Sequence, residues 1–367
     1  MNGHRLLASV LALLVVGCVP DDHCPRREIC SVMGTGDLGF NGDGLPPDET
    51  RVASPTSVTL DPDGTPVLID YSNMRLRVVR DGVVQTVVGS GEHAFSEVGA
   101  PVLETPLENP VDAAWGPDGV LYILPQHEGR VIMVGPDDTV EPCIGVGVLG
   151  DYGDGVHALD ARMGFGAGLA IASDGTTFIS DLTYHKVRRV QPNGLVDTVL
   201  GIGSAGMGGP GYGPEVAING PERLVVDEDR DRLIVADSVN HRILAMDLHD
   251  LTVTVLAGTG ERGYTGDGGP ATAAQLDTPV GVQVAPSGHV LVGDLGNRVI
   301  RAITPDGVVT TVAGGGDPEI DVYPGRPDEV PLRGPAGMTW SVEGDLLIAD
   351  RSGHRLLRWR GIEHALE

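Results

Sequence analysis

The segment LIVADSVNHRIL, residues 233–244, has the pattern of two short strands joined by a polar turn. Its first strand ends at Asp237, which opens the turn, and the second begins near Arg242. Five other blocks, among them VLIDYSNMRLRV and LIADRSGHRLLR, have the same layout. The anchor position, where the first strand of the block ends, holds Asp70, Pro125, Asp181, Asp237, Asp294 and Asp350. The spacings between these anchors, 55, 56, 56, 57 and 56 residues, indicate six copies of one structural unit.

Each copy contains four predicted strands. In the fourth copy they cover residues 222–226, 232–236, 242–246 and 252–257. Runs of about five residues, rich in β-branched side chains and bounded by Gly, Pro, Asp or Asn, are typical of strands in an antiparallel sheet. Repetition of such a sheet around an axis predicts an all-β fold, a six-bladed β-propeller of four-stranded antiparallel blades.

The sixth copy ends after its third strand, and the N-terminal part of the chain contains a candidate for the fourth. The segment MGTGDLGFNGDG, residues 33–44, matches AGTGERGYTGDG, residues 257–268, which follows the outer strand of the fourth copy. Residues 29–33 are therefore predicted to form the outer strand of the last blade and to close the ring. Closure would leave no blade with an unpaired side.

The segment 257–303, together with the ADSVNHRI block, resembles an NHL-repeat β-propeller. The resemblance covers about residues 29–360 and is closest in the fourth and fifth copies. The second copy departs most, at Pro125 and at Glu128-Gly129. The resemblance implies the six-bladed fold, and similar propellers include lactonases and an amidating lyase that hold a metal in the central channel.

The N-terminus has the features of an export signal. His4 and Arg5 precede an apolar run that ends in VVGC at Cys18. This resembles a bacterial lipoprotein signal, which implies cleavage before Cys18 and lipidation of its sulfur; an ordinary signal peptide with an incidental Cys18 is the alternative. The predicted organisation is a signal peptide at 1–17, a tether at 18–28, the propeller at 29–360 and a C-terminal tail at 361–367. We therefore expect an exported, lipid-anchored protein of the cell envelope, at the outer membrane or the periplasmic face.

Three further cysteines follow Cys18. Cys24 and Cys30 could form a disulfide in an oxidising compartment. Cys143 would then remain free, and the alternative is that all three are free.

The net charge of −26 constrains the partners. Nucleic-acid binding requires a basic surface, so this acidity argues against a nucleic-acid partner. A basic partner or a bound cation fits better, although acidity also serves solubility. We expect a monomer that touches a membrane only through its lipid anchor.

The recurring polar residues of the block favour a structural role. A carboxylate present in nearly every copy can accept backbone N–H bonds in its turn or pair with a basic residue five positions later. Those basic residues are Arg75, Arg130, Lys186, Arg242 and Arg355. Three histidines share one repeat position, and packing or hydrogen bonding between blades is favoured for them over metal binding: His185, His241 and His354.

Antiparallel strands place the turns of each blade alternately on two rims. The short-turn rim carries the turns between strands one and two and between strands three and four. The long-connection rim carries the anchor turns and the interblade connections of roughly twenty residues, a length that suggests a role. The connections contain GDG clusters with Asp43, Asp154 and Asp267. These carboxylates are weak candidates for Ca²⁺ ligands, the alternative being a glycine turn with a local carboxylate cap.

Two charged residues break the pattern of small residues nearest the axis. The innermost strands begin with Ser57, Asp112, Gly168, Arg223, Gly281 and Gly337. Asp112 and Arg223 could hold a polar ligand at the channel mouth. Alternatively, they pair with each other or with loop residues and close the pore.

Two classes of function remain open. The first is a non-catalytic scaffold that binds a protein or glycan of the cell envelope through the long-connection rim. Its basis is the absence of GxSxG, HExxH and CxxC motifs, together with polar positions that are repeated rather than unique. The second is a metal-dependent hydrolase or lyase with its site at the central channel, to which His93, His127 and His157 could contribute.

Overall fold

The computed structural model describes residues 24–317 and 319–366 of the chain. The predicted signal peptide and Cys18 lie outside the described residues. The strands form six antiparallel sheets, four with four strands and two with an added short fifth strand. The innermost strands contact one another in a closed ring of six. The predicted six-bladed β-propeller is therefore confirmed.

The strands of a blade follow one another outward from the axis. Blade one has β2 (Ser57–Leu60), β3 (Pro66–Asp70), β4 (Arg75–Arg80) and β5 (Val83–Val88). Blade two has β6 (Pro110–Trp115), β7 (Leu121–Pro125), β8 (Val131–Val134) and β9 (Val140–Ile144). Blade three has β10 (Gly166–Ile171), β11 (Thr177–Asp181), β12 (Lys186–Val190) and β13 (Val196–Leu200).

Blades four and five add a short strand from the preceding connection. Blade four has β14 (Gly211–Tyr212), β15 (Pro221–Asp227), β16 (Arg232–Asp237), β17 (Arg242–Asp247) and β18 (Thr252–Ala257). Blade five has β19 (Gly269–Pro270), β20 (Pro279–Val284), β21 (Val290–Asp294), β22 (Val299–Ile303) and β23 (Val308–Gly314). Blade six has β24 (Pro335–Trp340), β25 (Leu346–Asp350), β26 (Arg355–Trp359) and β1 (Ile29–Met33).

The ring is closed by β1, as predicted. This strand pairs antiparallel with β26, with Ile29 opposite Trp359 and Met33 opposite Leu356. Cys24, just before β1, forms a disulfide with Cys30 inside this strand, as predicted. The first and last segments of the propeller are thus joined in one sheet, so that blade six contains both.

The hydrophobic core lies between the blades. Six clusters of buried side chains each combine residues from two neighbouring blades, including the pair formed by blades six and one. In the last of these, Leu68 and Val84 of blade one pack with Leu347 and Leu356 of blade six. Every blade buries both faces of its sheet. Its middle strands therefore have nearly continuous runs of apolar residues.

The long connections also cover the outer edges of the blades. Each starts and ends on the long-connection rim, but its middle part lies along the outer edge of the blade that follows. The Gly44 N–H donates to the Val84 carbonyl (2.9 Å), and the Val84 N–H donates to the Leu45 carbonyl (2.8 Å). In the same way, β14 pairs with β18 and β19 with β23. Covering the exposed edges of the outer strands accounts for much of the length of these connections.

The helical segments of the described part are single 3₁₀ turns, with bounds Tyr71–Asn73, Ala158–Asp160, Gly213–Glu215, Glu228–Arg230, Ser238–Asn240, Ala271–Ala273 and Ile362–Ala365. Within residues 24–317 and 319–366, no helix has the length and apolar character needed to cross a membrane.

Candidate functional site

The anchor aspartates join each blade to the connection that precedes it. Each of the five is buried, and each accepts a backbone N–H from the end of that connection. The donors are Ala53 to Asp70, Gly164 to Asp181, Asn219 to Asp237, Asp277 to Asp294 and Gly334 to Asp350. Burial raises the pKa of Asp70, Asp294 and Asp350 to about 6, although these hydrogen bonds act in the opposite direction.

The three repeated histidines link neighbouring blades. Each lies in the left-handed region, with φ near 50°, and its Nδ1 accepts a backbone N–H from the next blade. The donors are Gly220 to His185 (3.1 Å), Thr278 to His241 (3.0 Å) and Ser54 to His354 (3.1 Å). The last of these bonds connects blades six and one, where the ring closes.

The basic residue five positions after the anchor is the partner of that aspartate only in blade four. There, Arg242 Nε donates to Asp237 Oδ2 at 2.7 Å. In blade one the partner of Asp70 is Arg77, seven positions after it, at 3.3 Å. Arg75 donates instead to the carbonyls of Asn73 and Ser90. The other predicted partners bind carboxylates elsewhere, with pairs Arg130–Glu128, Lys186–Asp151 and Arg355–Asp321.

The aspartates of the GDG clusters have arginine partners. Asp43, Asp154 and Asp267 form ion pairs at 3.0, 3.2 and 2.5 Å with Arg77, Arg188 and Arg301, each 34 residues further along the chain. These arginines are buried, and their guanidinium groups also donate to carbonyls of the connection, such as Gly42 and Thr265. A guanidinium beside each carboxylate competes with a cation for it. The arginine partners agree with the local carboxylate cap, and Ca²⁺ binding by these residues stays a prediction.

Within the described ranges, no group of three or more His, Cys, Asp or Glu side chains has an arrangement that could hold a metal ion. Cys143 is free and part-buried, and burial raises the pKa of its thiol to about 12. His157 caps the 3₁₀ turn at Ala158–Asp160 by accepting from the Leu159 N–H.

The second blade replaces the anchor by another carboxylate. Pro125 has no carboxylate to offer, and Glu128, three positions later, is 1% exposed. Its oxygens accept from the N–H and the hydroxyl of Ser96, each at 2.7 Å, and from Arg130 Nε at 2.8 Å. In blades one, four and five an asparagine occupies this position and donates to the anchor aspartate. Glu128 thus holds the preceding connection, although at a different point from the aspartates.

Asp112 and Arg223 pair with each other across the top of the channel. Both residues are 6% exposed, and Arg223 Nη1 contacts Asp112 Oδ2. Arg223 Nη2 also donates to the carbonyls of Thr56 (2.8 Å) and Val111 (2.6 Å). Asp112 accepts the N–H of Ala113 and, across to blade three, that of Leu169. Because Arg223 belongs to blade four, its side chain spans to blades one and two and closes the pore.

A second set of side chains lies above this pair and was missed by the sequence analysis. The positions that directly follow the anchors, here called the mouth ring, are Tyr71, Gln126, Leu182, Ser238, Leu295 and Arg351. The Tyr71 hydroxyl donates to Gln126 Oε1 at 2.7 Å, and the Arg351 guanidinium carbon lies 5.7 Å from the centroid of the Tyr71 ring. Their signal in the sequence is that they differ from copy to copy while the preceding anchor is repeated.

Electrostatics show that Glu222, from blade four, belongs to the same neighbourhood. Burial raises the pKa of Glu222, and the charges of Arg223 and Arg351 oppose this rise. Burial also raises the pKa of Tyr71, where the Arg351 charge opposes and the carboxylates of Glu108 and Glu222 add to the effect. Tyr71 of blade one, Glu222 of blade four and Arg351 of blade six therefore lie close enough to affect one another electrostatically.

A polar cluster in blade two adjoins the mouth ring. Glu108 contacts His93 Nε2 at 2.8 Å and His127 Nδ1 at 3.0 Å. The His127 ring packs edge-on against Phe165, with centroids 4.6 Å apart. His93 and His127, two of the loop histidines named as possible metal ligands, thus both contact the carboxylate of Glu108.

Exposed apolar side chains are concentrated in the long connections. Most of the large hydrophobic residues with high exposure lie there, and the connection between blades two and three has the densest set: Val146, Val148, Leu149, Tyr152, Leu159 and Phe165. A shallow groove of about 610 Å³ is lined by Val146, Val148, Tyr152, Asp160 and Arg162. All five lining residues belong to the connection between blades two and three.

Comparison with known proteins agrees with this architecture. The family model of the teneurin NHL domain matches residues 154–328. With six blades of the repeat now described, the assignment follows. The chain is an NHL-repeat β-propeller. Teneurin-m of Drosophila melanogaster is 28% identical to this propeller over 296 residues, which are 72% of this chain and 10% of that protein. Teneurin-3 of Danio rerio is 32% identical over 165 residues, 41% of this chain and 5% of that protein.

The chain spans about a tenth or less of the length of these teneurins. Among solved structures, an auxiliary nutrient binding protein from Bacteroides ovatus superposes with a TM-score of 0.65 at 12% identity, covering 91% of the propeller chain and 76% of the other. Virginiamycin B lyase from Staphylococcus aureus has a TM-score of 0.50 at 13% identity, with coverage of 86% and 82%. At these identities, the likeness shows the propeller fold alone.

Proposed function

We propose that this NHL propeller is a non-catalytic binding module of the cell envelope. Lipid at Cys18 anchors it, and a protein or glycan partner binds at its long-connection rim. The observation that carries the proposal is the direction in which the chain enters the propeller. The chain enters β1 on the short-turn rim, and the connections that carry most of the exposed apolar side chains start and end on the other rim.

The pairing of β1 supports this direction. Strand β26 starts at Arg355 on the long-connection rim and ends at Trp359 on the short-turn rim. Ile29 lies opposite Trp359, so β1 begins on the short-turn rim. Cys24 is held there as well, since its carbonyl accepts from Arg360 Nη1 at 2.8 Å.

The tether is short. Cys24 follows Cys18 by six positions, and a fully extended chain of six residues covers at most roughly 20 Å. A lipid at Cys18 would keep the short-turn rim close to the membrane surface. The long-connection rim would then face away from the membrane and be accessible to a partner.

The polar chemistry of the site favours binding over catalysis. The charged pair at the pore, Asp112 and Arg223, is consumed by mutual pairing and by backbone groups. The carboxylates of the GDG clusters are paired with buried arginines. What remains accessible on the long-connection rim is an apolar, aromatic surface with a few polar groups, the composition found in contact regions between proteins and their partners.

The test compares one residue from each rim. Tyr152 is 60% exposed on the long-connection rim, and Val342 is 69% exposed on a turn of the short-turn rim. A photo-crosslinking amino acid is placed at either position in the full chain, expressed in its own cell envelope. We expect specific adducts from position 152 and few from position 342. Equal labelling from both positions, or none from 152, would overturn the proposed binding rim.

The anchor is tested separately with Cys18→Ser. The substituted protein should lose metabolic labelling by fatty acid and move from the membrane fraction to the soluble fraction. Cys143→Ser, which changes a part-buried free cysteine, is the matched control and should leave both properties unchanged. Retention of the fatty-acid label in Cys18→Ser would contradict lipidation at this position.

A further inference from the structure

The mouth ring combines a guanidinium, a phenol ring and an amide above a sealed pore. We propose that it binds a sugar acid, that is, a polyhydroxylated ligand with a carboxylate, either free or at the end of an acidic glycan. This proposal rests on the proposed binding function and specifies the ligand at the centre of the long-connection rim. It is carried by Arg351, Tyr71, Gln126 and Glu222.

Arg351 is the cation of the site. Among the described residues no carboxylate lies within ion-pair distance of its guanidinium, although this side chain is only partly exposed and the net charge is −26. By contrast, Arg77, Arg188 and Arg301 on the same side of the blades each have an aspartate partner. A planar guanidinium with free donors binds a carboxylate through two parallel hydrogen bonds. Arg351 is therefore available to a ligand anion.

Tyr71 and Gln126 provide the neutral part of the site. Their mutual hydrogen bond of 2.7 Å uses the hydroxyl proton of Tyr71 and Oε1 of Gln126. The phenol oxygen keeps its lone pairs, and the Gln126 amide nitrogen keeps both of its protons. An acceptor and a donor held in fixed positions next to an aromatic ring suit ligand hydroxyl groups and the apolar face of a sugar ring.

Glu222 adds a carboxylate next to Arg223, which follows it directly in β15. It comes from blade four, and its pKa is subject to the charge of Arg351. A carboxylate in this neighbourhood can accept hydroxyl protons from a ligand. The Arg223 guanidinium is already bound to Asp112 and to the Thr56 and Val111 carbonyls. A ligand would thus rest on the mouth and not pass through the pore.

The pattern of repetition also favours a ligand over a scaffold role. The anchor aspartates, which join blades to connections, are the same in five of six copies. One residue later, the mouth ring has Tyr, Gln, Leu, Ser, Leu and Arg. A structural requirement common to the blades would favour the same residue in each. The six positions hold five residue types, and Ser238 is buried with its hydroxyl donating to the Pro279 carbonyl. The part-exposed polar side chains available to a ligand are therefore Tyr71, Gln126 and Arg351.

The experiment measures binding of D-glucuronate and D-glucose to the purified propeller by calorimetry or ligand-observed NMR. We expect glucuronate to bind and glucose to bind at least tenfold more weakly. Arg351→Ala should weaken glucuronate binding about 10- to 100-fold, because a hydrogen bond to a charged group contributes about 1.5–3 kcal/mol. Arg351→Lys should retain only part of the affinity. Arg298→Ala, which removes an exposed arginine from the same rim, is the matched control and should bind as the wild type does.

An oligosaccharide with a terminal uronate distinguishes the two sources of the ligand. Tighter binding of the oligosaccharide than of free glucuronate indicates a glycan end, and equal binding indicates a free sugar acid. Equal affinity for glucose and glucuronate, or an Arg351→Ala variant that binds normally, would refute the proposal. If neither acid binds while position 152 still crosslinks a partner, the mouth-ring proposal fails and the proposed binding rim stands. Unfolding temperatures of all variants verify that each has folded.

Discussion

Replacing Arg223 by alanine tests whether the channel mouth is closed by an internal ion pair. The substitution removes the guanidinium that contacts Asp112 and donates to the Thr56 and Val111 carbonyls. Asp112 would keep two backbone donors but would remain a buried charge without a counter-ion. Breaking a buried pair by removing one partner costs about 3–5 kcal/mol. We therefore expect Arg223→Ala to lower the free energy of unfolding by an amount in that range.

The size of the expected shift in Tm follows from the length of the propeller. At about 2.1 cal/mol/K per residue, unfolding of roughly 330 residues carries an entropy of about 0.7 kcal/mol/K. A loss of 4 kcal/mol then lowers Tm by roughly 6 °C. The double variant Asp112→Asn with Arg223→Met removes both charges, and it should recover at least half of the loss because replacing a buried pair by neutral groups is often close to neutral.

The assay is urea unfolding followed by circular dichroism, with Tm measured in parallel. Arg80→Ala is the control, since Arg80 is half exposed and its pair with Asp61 spans 3.6 Å. Exposed pairs of this kind contribute about 0–1 kcal/mol. The reasoning would be refuted by an Arg223→Ala variant as stable as Arg80→Ala. A double variant less stable than Arg223→Ala would equally contradict the argument.

Three further predictions concern stability. Gly201→Ala should lower the free energy of unfolding by at least about 2 kcal/mol. A left-handed conformation alone costs a non-glycine residue about 1–2 kcal/mol, and a Cβ on Gly201, at φ +100°, would also lie 2.2 Å from the His185 carbonyl oxygen. The control Gly82→Ala has open space around its Cβ and should cost about 1 kcal/mol in urea unfolding. The pKa of Asp294 is raised by burial from 3.8 to about 6, so the folded protein binds more protons than the unfolded chain in that window, and stability should rise as pH falls from 7 towards 5. Asp294→Asn should flatten the profile between pH 7 and 5 by about 1.4 kcal/mol, and parallel Tm profiles of the two proteins would contradict the cause. Because Asp267 is paired with a buried arginine, 1 mM Ca²⁺ or a chelator should leave Tm unchanged, and a shift of several degrees would support the calcium hypothesis.

Repetition in the sequence was sufficient to predict which polar residues are structural. Asp237 and its counterparts recur with the block, and the structure shows all of them holding a connection. The partner of Asp70 was mispredicted, because an arginine five residues later, Arg75, and one seven residues later, Arg77, both fit the pattern. Because residues two apart in a strand share a face, alternation along β4 cannot decide between them. Only the tertiary contacts do: Arg77 is buried beside Asp70 and Asp43, and Arg75 donates to backbone carbonyls.

Deviations from the repeat identified the two charged residues nearest the axis, Asp112 and Arg223. They did not show what these residues bind. Asp112 and Arg223 stood out because glycine or serine occupies the other positions. Whether they bind a ligand or each other depends on the distance across the channel between blades two and four, which is a property of the closed ring. Arg351, in contrast, has an ordinary sequence context, and its lack of a described carboxylate partner is visible only when neighbouring blades are in place.

The sequence by itself determined the number of blades, the strands of each blade and the closure of the ring by residues 29–33, because these follow from local periodicity and a regular spacing. The tertiary structure decided which long-range partners each charged group has. It also decided that the block around Asp237 is a joint between a blade and the preceding connection. Such contacts join residues 16 to 18 or 34 positions apart, or in different blades. The folded ring of sheets brings those residues together. The local sequence does not specify the distance between them.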